Sequence, residues 1–531
     1  MMHGRDQSDS PVRAMKSANN AERSAAESVE QRGGPKGKAV EPTTRRAQNR
    51  ESVSPGLDRL RQFVRNNRKG RFTTLLHHVN VALLRWSYFA LKRNAAAGVD
   101  GRTWQAYGEH LEESLADLHA RVHRGAYRAL PSRRRMIPKP DGRERPLGIA
   151  SIEDKIVQRA MVEVLNVIYE REFIGFSYGF RPGRSQHDAL DALWVGISNT
   201  RVNWIVDADI RSFFDSVSHD WLVRFMEHRI GDQRILRLIR KWLKAGVLEG
   251  TILTASEIGT PQGAVASPLL ANIVLHYVFD LWVQQWRRRH AHGNVIVVRY
   301  ADDLVAGFEH EADAKAFLAD LRTRFEAFGL SLHPEKTRLI EFGRYAAKAR
   351  KARGLGKPET FTFLGFTHIC GKSRSGRFLL WRKTRRDRMR AKLQAIKADL
   401  HRKMHETIGA QGRWLRGVVM GYFNYHAVPT NIGALSAFRF SVLMLWHRAL
   451  RRRSQVDRTL MEKTKRLGEQ WLPTPRIPRS TAWVWITPKQ GSVPRSCPGV
   501  EPPKWGEFTA LRDVHRRNSM PLEPPVGFQA R

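Results

Sequence analysis

Apolar residues recur at helical spacing in two regions of the chain, one near the N-terminus and one beyond Gly376. The first region reads "GLDRLRQFVRNN" and "FTTLLHHVNVALLRWSYFALKRN", and it stops at the Gly-containing turn "AAAGVDG". In the second region two apolar series stand among basic residues: Met389, Leu393, Ile396, Leu400 and Met404, then Leu435, Phe438, Val442, Leu445 and Ala449. We predict a small helical N-terminal element and a helical, strongly basic C-terminal region.

Strand-like and helical patterns mix in the central region, between Tyr127 and Phe366. The stretch "RRRMIPKPDGRERPLGIA" has an Asp-Gly turn between two extended arms, which predicts a hairpin. "SIEDKIVQRAMVEVLNVIYEREF" has the pattern of a helix, whereas "NWIVDADIRSFFDSV" and "NVIVVRYADDLVAGF" are strand-like apolar runs that carry acids. This order of elements predicts an α+β fold with a largely antiparallel sheet.

The net charge of the chain indicates what class of partner the protein binds. Lys and Arg total 91 against 51 Asp and Glu, a formal net charge of +40 with a pI near 11.0. A polyanion explains this excess best, and we favour nucleic acid over anionic lipid or a merely basic surface. No window approaches the roughly 18 to 20 uncharged apolar residues of a spanning helix, and the N-terminus has no apolar signal region.

The cysteine content indicates whether the protein is expected in a reducing or an oxidising compartment. Cys370 and Cys497 lie far apart and belong to no C-x-x-C pair. A disulfide framework and a structural zinc site are therefore disfavoured, and a reducing cytoplasm is expected.

Two adjacent acids, Asp302 and Asp303, interrupt the apolar run "VIVVRYADDLVAGF". Adjacent acids usually sit on a solvated turn, but here the apolar flanks leave room only for a tight hairpin. Two carboxylates held there repel each other unless a cation neutralises them. Hard oxygen ligands without cysteine favour Mg²⁺ over zinc.

A second acidic pair, Asp207 and Asp209, lies in "IVDADIRSFF". Strand alternation puts both on one face, so either could meet the Asp302 pair on a neighbouring strand. Three carboxylates on adjacent strands could hold two Mg²⁺ ions about 3.5 to 4 Å apart, an arrangement used in phosphoryl transfer.

Longer motifs resemble one family. "RYADDLVAGF" looks like the catalytic hairpin of reverse transcriptases, "DADIRSFFD" like their first carboxylate strand, and "GTPQGAVASPLLANIVL" like the segment that supports template and nucleotide. "IPKPDGRERPLGIASIEDKIVQRAM", "GFRPGRSQHDAL", "GLSLHPEKTRLIEF", "FTFLGF" and "LRGVVMGYFNYHAV" resemble, in this order, blocks of bacterial group II intron-encoded reverse transcriptase/maturases. The resemblance runs from about Leu57 to Arg453.

That resemblance implies a right-hand polymerase, with fingers, a palm carrying an antiparallel sheet and a helical thumb, plus a helical maturase domain. The expected parts are a disordered basic leader over 1–55, a helical extension of the fingers over 56–117, fingers and palm over 118–366, a thumb over 367–410, a maturase (X) domain over 411–475 and a Pro-rich tail of unknown role over 476–531.

The resemblance also assigns roles to residues. Asp209, Asp302 and Asp303 match a catalytic triad that binds two Mg²⁺ ions, with Mn²⁺ as an alternative, and Lys336 matches a proton donor to pyrophosphate. Five further positions match nucleotide-binding residues: Lys139 and Arg145 at the triphosphate, Phe214 as the gate against a ribose 2′-hydroxyl, and Gln262 and Gly263 near the sugar and base. The bland alternatives are surface cations for the first two and a core aromatic for Phe214.

Nucleic-acid contacts are implied for five arginines: Arg181, Arg184, Arg385, Arg386 and Arg388. A turn of exposed arginines without such a role is the alternative for Arg181 and Arg184. The interleaved aromatics of "GYFNYH" are more often core than RNA platform, so RNA binding is expected of the domain and not of single rings.

The implied function is RNA-directed DNA synthesis by an intron maturase that assists splicing and copies its intron during retrohoming. Its partners would be group II intron RNA, target DNA, a DNA primer and dNTPs, with no membrane, in a bacterial cytoplasm and at the nucleoid; monomer or dimer stays open. An H-N-H endonuclease needs metal-binding histidines and often paired cysteines. After Trp471 the sequence offers only His515 and Cys497, so this activity is not expected. The rivals are a splicing-only RNA-binding maturase and a reverse transcriptase co-opted for phage defence or CRISPR adaptation.

Overall fold

A computed structural model describes residues 56–67, 70–138, 144–249, 252–254, 258–260, 263–453 and 461–477. The predicted disordered leader and nearly all of the predicted Pro-rich tail lie outside these residues. Within them, no helix combines the length and the apolar character needed to cross a lipid bilayer.

Helices surround three small sheets. The helices are α1 (56–66), α2 (Val81–Ala90), α3 (Trp104–Gly108), α4 (Leu111–His123), α5 (Ile152–Glu172), α6 (Gln186–Asn199), α7 (Phe213–Ser216), α8 (His219–Glu227), α9 (Gln233–Lys244), α10 (Ser267–Leu275), α11 (Leu281–Arg289), α12 (Glu311–Glu326), α13 (Ala346–Ala352), α14 (Arg386–Arg402), α15 (Ile408–His426), α16 (Ile432–Arg451) and α17 (Met461–Trp471). A 3₁₀ turn, Leu76–His78, precedes α2, and a π-helical segment, His276–Asp280, joins α10 to α11.

The described strands form three sheets, two of which combine strands from distant parts of the chain. The strands are β1 (Ser132–Pro138), β2 (Glu144–Ile149), β3 (Trp204–Asp209), β4 (Val247–Glu249), β5 (Ile252–Thr254), β6 (Val295–Tyr300), β7 (Asp303–Phe308), β8 (Arg338–Glu341), β9 (Phe361–Phe363), β10 (Phe366–Lys372) and β11 (Phe378–Thr384). The sheet orders are β2-β1-β4-β5, β6-β7-β3-β8 and β11-β10-β9. Of the described pairings only β1 with β4 is parallel, so the α+β fold with a largely antiparallel sheet is confirmed.

The predicted Asp-Gly hairpin is confirmed by the antiparallel pairing of β1 with β2 on either side of it, with Pro138 opposite Glu144. The predicted long helix that follows is α5. Its first turn is capped by Ser151, whose side chain accepts a hydrogen bond from the backbone N–H of Asp154, as expected for an N-cap serine.

The central sheet, β6-β7-β3-β8, is covered on both faces. Leu304, Ala306 and Phe308 of β7 enter the largest apolar core, which α5 and α10 also line. Val305, on the other face of β7, packs with Ile296 of β6 and with apolar residues of α6. Burial on both faces explains why "VIVV" and "LVAGF" read as continuous apolar runs rather than as alternating ones.

The C-terminal helices build a core of their own. Ile396 and Leu400 of α14 pack with residues of α15 and α16, among them Trp446. Both predicted apolar series lie in this cluster or against it, except Met404, which follows the end of α14 at Arg402. The helical region beyond Gly376 is therefore present, but it begins with two strands, β10 and β11, that surround this glycine.

The N-terminal helical prediction is only partly right. Helical periodicity starts at Phe72, but the first residues are not α-helical: the carboxylate of Asp232 accepts the backbone N–H groups of Leu75 and Leu76 at 2.9 and 3.0 Å. A true helix starts only after Asn80, whose side chain accepts from Leu83 N. A contact 157 residues away along the chain thus overrides the local pattern.

Candidate active site

The two adjacent acids lie at the tip of the β6–β7 hairpin. Tyr300 pairs with Asp303, so only Ala301 and Asp302 remain for the turn, as the apolar flanks predict. Ala301 takes a left-handed conformation with φ of +56°, which is uncommon for a residue with a side chain. The turn is therefore tight, and it presents Asp302 and Asp303 in succession.

The neighbouring strand brings the third predicted acid to the same place. Asp209, the last residue of β3, lies directly opposite Asp303 of β7 in the antiparallel register. Residues so paired have Cβ atoms about 4.5 to 5.5 Å apart. Asp207 is opposite Val305 and shares the face but not the pairing. Of the two candidates in this strand, Asp209 is the one that meets the hairpin acids.

Electrostatics mark this spot as an anionic cluster that nearby cations offset only in part. Desolvation, followed by the negative charges of Asp302, Asp209 and Asp207, raises the pKa of Asp303 to about 8, and Arg388 opposes the rise. The side chain of Asp303 is exposed, so solvent screens part of this repulsion.

Basic side chains face the cluster from β8 and from the segment before it. The Nζ atom of Lys336 donates to Asp209 Oδ2 at 2.5 Å, and Arg338 lies 3.7 Å from Asp207 Oδ2. Desolvation raises the pKa of Asp207 to about 6 despite this arginine. Lys336 therefore acts as the counter-ion of Asp209 in this structure.

The donor set suits a hard divalent cation. Carboxylate oxygens are the ligands that Mg²⁺ and Mn²⁺ prefer, and the raised pKa of Asp303 shows that positive charge would be favourable here. No three His, Cys, Asp or Glu side chains within the described ranges already converge as a metal-ligand set. A cation bound by Asp209 would take the place that the ammonium of Lys336 holds.

Two of the five predicted nucleotide-binding residues, Arg145 and Gly263, lie at the sheet of β1 and β2. Lys139 and Gln262 lie outside the described residues, and Arg145 pairs with Ile137 through the backbone of the hairpin. Gly263 has φ of +106°, and a Cβ added there would stand 2.8 Å from the carbonyl oxygen of Gly148. This position accepts glycine alone without strain, in keeping with the close backbone approach expected of it.

Phe214 is only 9% exposed and packs edge-on against Phe213, with ring centroids 5.5 Å apart. Its backbone carbonyl accepts from the N–H of Thr260. The ring thus belongs to the main core, at its edge, a few residues beyond Asp209. The gate stays a prediction, because the small exposed part of the ring is all that could meet a sugar.

Arg181 corrects the prediction of a template contact. It is buried, and its guanidinium donates to Glu170 and to the carbonyl oxygens of Ile174 and Ser177 at 2.8 to 3.2 Å. These bonds hold the guanidinium inside the protein, where a nucleic acid cannot reach it. Arg184 is half-buried over the Tyr178 ring, with its guanidinium carbon 5.2 Å from the ring centroid.

The other three predicted arginines lie at the start of α14. Arg385 forms a bidentate ion pair with Asp387, with Nε 3.1 Å from Oδ1 and Nη2 2.6 Å from Oδ2. Arg386 and Arg388 are exposed. Arg388 is the one whose charge reaches Asp303. The structure therefore brings Arg388 towards the acidic cluster from an element more than 80 positions away in sequence.

Sequence reasoning missed the residues beneath the hairpin. Arg299 is fully buried and forms an ion pair with Asp280, itself fully buried, at 2.6 Å. Burial alone would raise the pKa of Asp280, but the charge and hydrogen bonds of Arg299, together with those of His276, lower it on balance. A basic residue inside the otherwise apolar "VIVVRY" was the available signal, since a buried charge requires a partner.

Comparison with known proteins agrees with this arrangement. The family described as reverse transcriptase (RNA-dependent DNA polymerase) matches residues 137–368, which include β3, the β6–β7 hairpin and Lys336. The matched residues span the central sheet and end in β10, so this part of the chain is similar to a reverse transcriptase domain.

Several known proteins are similar to parts of this chain. Protein YkfC of Escherichia coli K12 is 40% identical over 191 residues, 35% of this chain and 50% of that protein. Group II intron-encoded protein LtrA of Lactococcus lactis subsp. cremoris is 37% identical over 204 residues, 38% of this chain and 34% of that protein. A putative COX1/OXI3 intron 1 protein of Saccharomyces cerevisiae is 26% identical over 433 residues, 68% of this chain and 51% of that protein. The matches span about half of these relatives or less.

Proposed function

We propose that this protein is a divalent-metal-dependent, RNA-directed DNA polymerase that also serves as an intron maturase. The observation that carries the proposal is the pairing of Asp209 with Asp303 across β3 and β7, with Asp302 in the adjoining turn. The match to a reverse transcriptase domain and the similarity to intron-encoded proteins support the same function.

Asp209, Asp302 and Asp303 would hold the metal ions. Bound Mg²⁺ would neutralise the developing charge on the transferred phosphate and orient the attacking and leaving oxygens. The protein supplies a rigid base, because the strands beneath these acids are buried on both faces. Positioning and fixed charge are the main demands of phosphoryl transfer, and the site meets both.

Lys336 is proposed to protonate the departing pyrophosphate. Its ammonium contacts Asp209 Oδ2, so it stands within one side-chain length of the metal-binding carboxylates. Lys336 is more than half exposed, which leaves its stem free to turn from Asp209 to a bound triphosphate. Lys139 and Arg145 are proposed to hold that triphosphate from the fingers.

The right-hand layout is part of the proposal. Residues 56–117 and 118–366 would form the fingers with their helical extension and the palm, 367–410 the thumb, and 411–475 the maturase domain. The separate core that α14, α15 and α16 share supports a C-terminal unit distinct from the palm. The tail 476–531 keeps no assigned role.

The net charge of +40 of the whole chain supports binding of structured RNA, and we propose that the C-terminal unit takes part in it. We propose group II intron RNA as the RNA partner, with target DNA, a DNA primer and dNTPs as the others, in a bacterial cytoplasm and at the nucleoid. Assistance to splicing and copying of the intron during retrohoming would follow. The intron-encoded relatives favour this function over a role in phage defence or CRISPR adaptation.

Primer extension on an RNA template with Mg²⁺ tests the polymerase. Asp302→Ala should lower the rate by about 10³-fold, because loss of a metal-binding carboxylate removes several kcal/mol of transition-state stabilisation. Asp220→Asn, at an exposed position in the first turn of α8, is the matched control and should leave the rate unchanged. Equal product from wild type and Asp302→Ala would refute the polymerase.

The same variant separates the polymerase from the splicing-only rival. If Asp302→Ala still binds and splices intron RNA while DNA synthesis is lost, both proposed activities exist and use different surfaces. A wild-type protein that splices but never extends a primer would leave only the maturase.

A further inference from the structure

Arg299 is the last residue but one of β6, and its side chain turns inward beneath the catalytic hairpin. It is fully buried, unlike the acids three and four positions later. A buried guanidinium is costly unless every N–H finds an acceptor, so its partners reveal what it holds.

All five N–H groups of Arg299 are used. Nε and Nη2 donate to the two carboxylate oxygens of Asp280 at 2.7 and 2.6 Å. Nη2 also donates to Ser177 Oγ at 2.7 Å, and Nη1 donates to Asn272 Oδ1 at 2.8 Å and to the Ala301 carbonyl at 3.1 Å. The last bond is the informative one, because Ala301 belongs to the turn that precedes Asp302.

Three of the four partners come from elements outside the hairpin. Asn272 lies in α10, Asp280 closes the π-helical segment, and Ser177 follows α5. π-helical segments are rare and frequently occur at functional sites. Here the π-helical segment ends at Asp280, the acid that forms the ion pair with Arg299.

A second contact, with Gly179, supports the same turn. A Cβ added to Gly179 would stand 2.4 Å from the backbone nitrogen of Ala301, so the two backbones touch. Asn272 links the two supports, since its amide donates to the Gly179 carbonyl at 2.7 Å while its oxygen accepts from Arg299.

The turn needs this support because it is strained. Left-handed backbone in a residue with a side chain costs free energy and persists only where the surroundings impose it. Ala301 adopts it with φ of +56°, with its carbonyl on Arg299 and its nitrogen against Gly179.

We infer that Arg299 is a positioning residue for DNA synthesis: it fixes the Ala301 turn and thereby the two acids that follow. The inference rests on the proposed polymerase function. Arg299 is fully buried and its hydrogen bonds all go to protein groups, so its effect on the reaction would pass through the turn.

The test uses full-length Arg299→Lys, which keeps the charge opposite Asp280 but cannot form the five-bond fork. Two quantities are measured on folded protein: amide hydrogen exchange of a peptide covering residues 300–304, and kcat and KM for dNTP in primer extension. We expect faster exchange in this peptide and a kcat lowered by about 100-fold with little change in KM, as displacement of a catalytic group by about 1 Å can produce.

Arg382→Lys is the matched control. Arg382 is also buried and also pairs with an acid, Asp191, at 2.8 Å, but its described contacts do not include the turn. It should lower the thermal unfolding temperature without changing exchange at 300–304 or kcat. Ser177→Ala, which removes a single acceptor of Arg299, serves if Arg299→Lys does not fold, and it should shift exchange in the same direction by less.

Wild-type exchange at 300–304 and wild-type kcat in Arg299→Lys, with only the unfolding temperature lowered, would show that Arg299 merely stabilises the fold. The exchange measurement needs no catalysis. Failure of the polymerase proposal would therefore appear as an inactive wild type, distinct from failure of the positioning role.

Discussion

Lys336 is the cation that directly contacts the first acid of the predicted triad. Asp209 lies opposite Asp303 in the sheet, and Asp302 lies in the adjoining turn; desolvation, followed by the negative charges of the neighbouring acids, raises the pKa of Asp303. At the residue scale the site is therefore an unbalanced charge cluster, with one ammonium on Asp209 and an arginine, Arg388, that offsets part of the charge on Asp303. Such imbalance is typical of sites that bind a cationic ligand.

Lys336→Ala should slow the chemical step of nucleotide addition by about 10²-fold, because a positioned general acid typically contributes that factor or more. Single-turnover extension in Mg²⁺ measures the step, and Lys336→Arg, which retains charge but is a very poor proton donor, distinguishes proton transfer from simple charge. A chemical step as fast in Lys336→Ala as in wild type would remove the proton-donor role.

At the scale of elements, the β6–β7 hairpin depends on what packs beneath it. Its strands are anchored by two apolar cores, and its turn is held between Arg299 and Gly179. This division explains how an exposed, charged tip can remain in one conformation. Catalytic residues commonly sit on short turns that a rigid scaffold positions.

Gly179→Ala should disturb the tip without unfolding the hairpin. The new methyl group would meet the Ala301 nitrogen at 2.4 Å, and the turn must shift to relieve that contact. We expect primer extension to fall by about 10- to 100-fold. Gly175→Ala, four positions earlier with open space at its Cβ, is the control and should extend primers like wild type.

Measurement of kcat for both glycine variants at matched folded fraction checks this prediction. Equal rates in Gly179→Ala and Gly175→Ala would mean that the turn tolerates a shift, and that its geometry is less critical than the contacts indicate.

At the scale of the whole molecule, basic charge is the dominant feature. A net charge of +40 is far larger than the ion pairs and helix caps within the fold can account for. The start of α14 presents exposed Arg386 and Arg388 beside the reverse transcriptase domain, and Arg388 reaches the acidic cluster electrostatically. A polyanion could thus bridge the C-terminal helices and the catalytic hairpin.

Binding to structured RNA should weaken steeply as salt rises, because each neutralised phosphate releases counterions. Arg386→Gln should reduce the slope of log K against log salt by about one if Arg386 contacts a phosphate. Lys315→Gln, on α12 and paired with Glu311, should keep the wild-type slope. Fluorescence anisotropy across a salt series measures both, and an unchanged slope in Arg386→Gln would remove this residue from the RNA-binding surface.

Local patterns predicted much of the fold. The alternation in "WIVDAD", the apolar flanks of "RYADD" and the helical pattern of "SIEDKIVQRAM" are local, and each gives the element that the structure contains. Two expectations depended on partners that these patterns do not reveal. Asp232 binds the backbone 157 positions before it, where the helical pattern after Phe72 is interrupted, and Glu170, 11 positions before Arg181, holds that arginine inside.

The sequence by itself determined which residues carry charge at strand ends, which segments are apolar enough to be buried, and that the whole chain is strongly basic, because these are properties of composition and short-range spacing. Only the tertiary structure decided that Asp209 rather than Asp207 meets Asp303, and that Arg299 supports the turn while Arg388 faces the acids. The physical reason is that strand register and the pairing of buried charges join residues far apart in the chain, which no local pattern encodes.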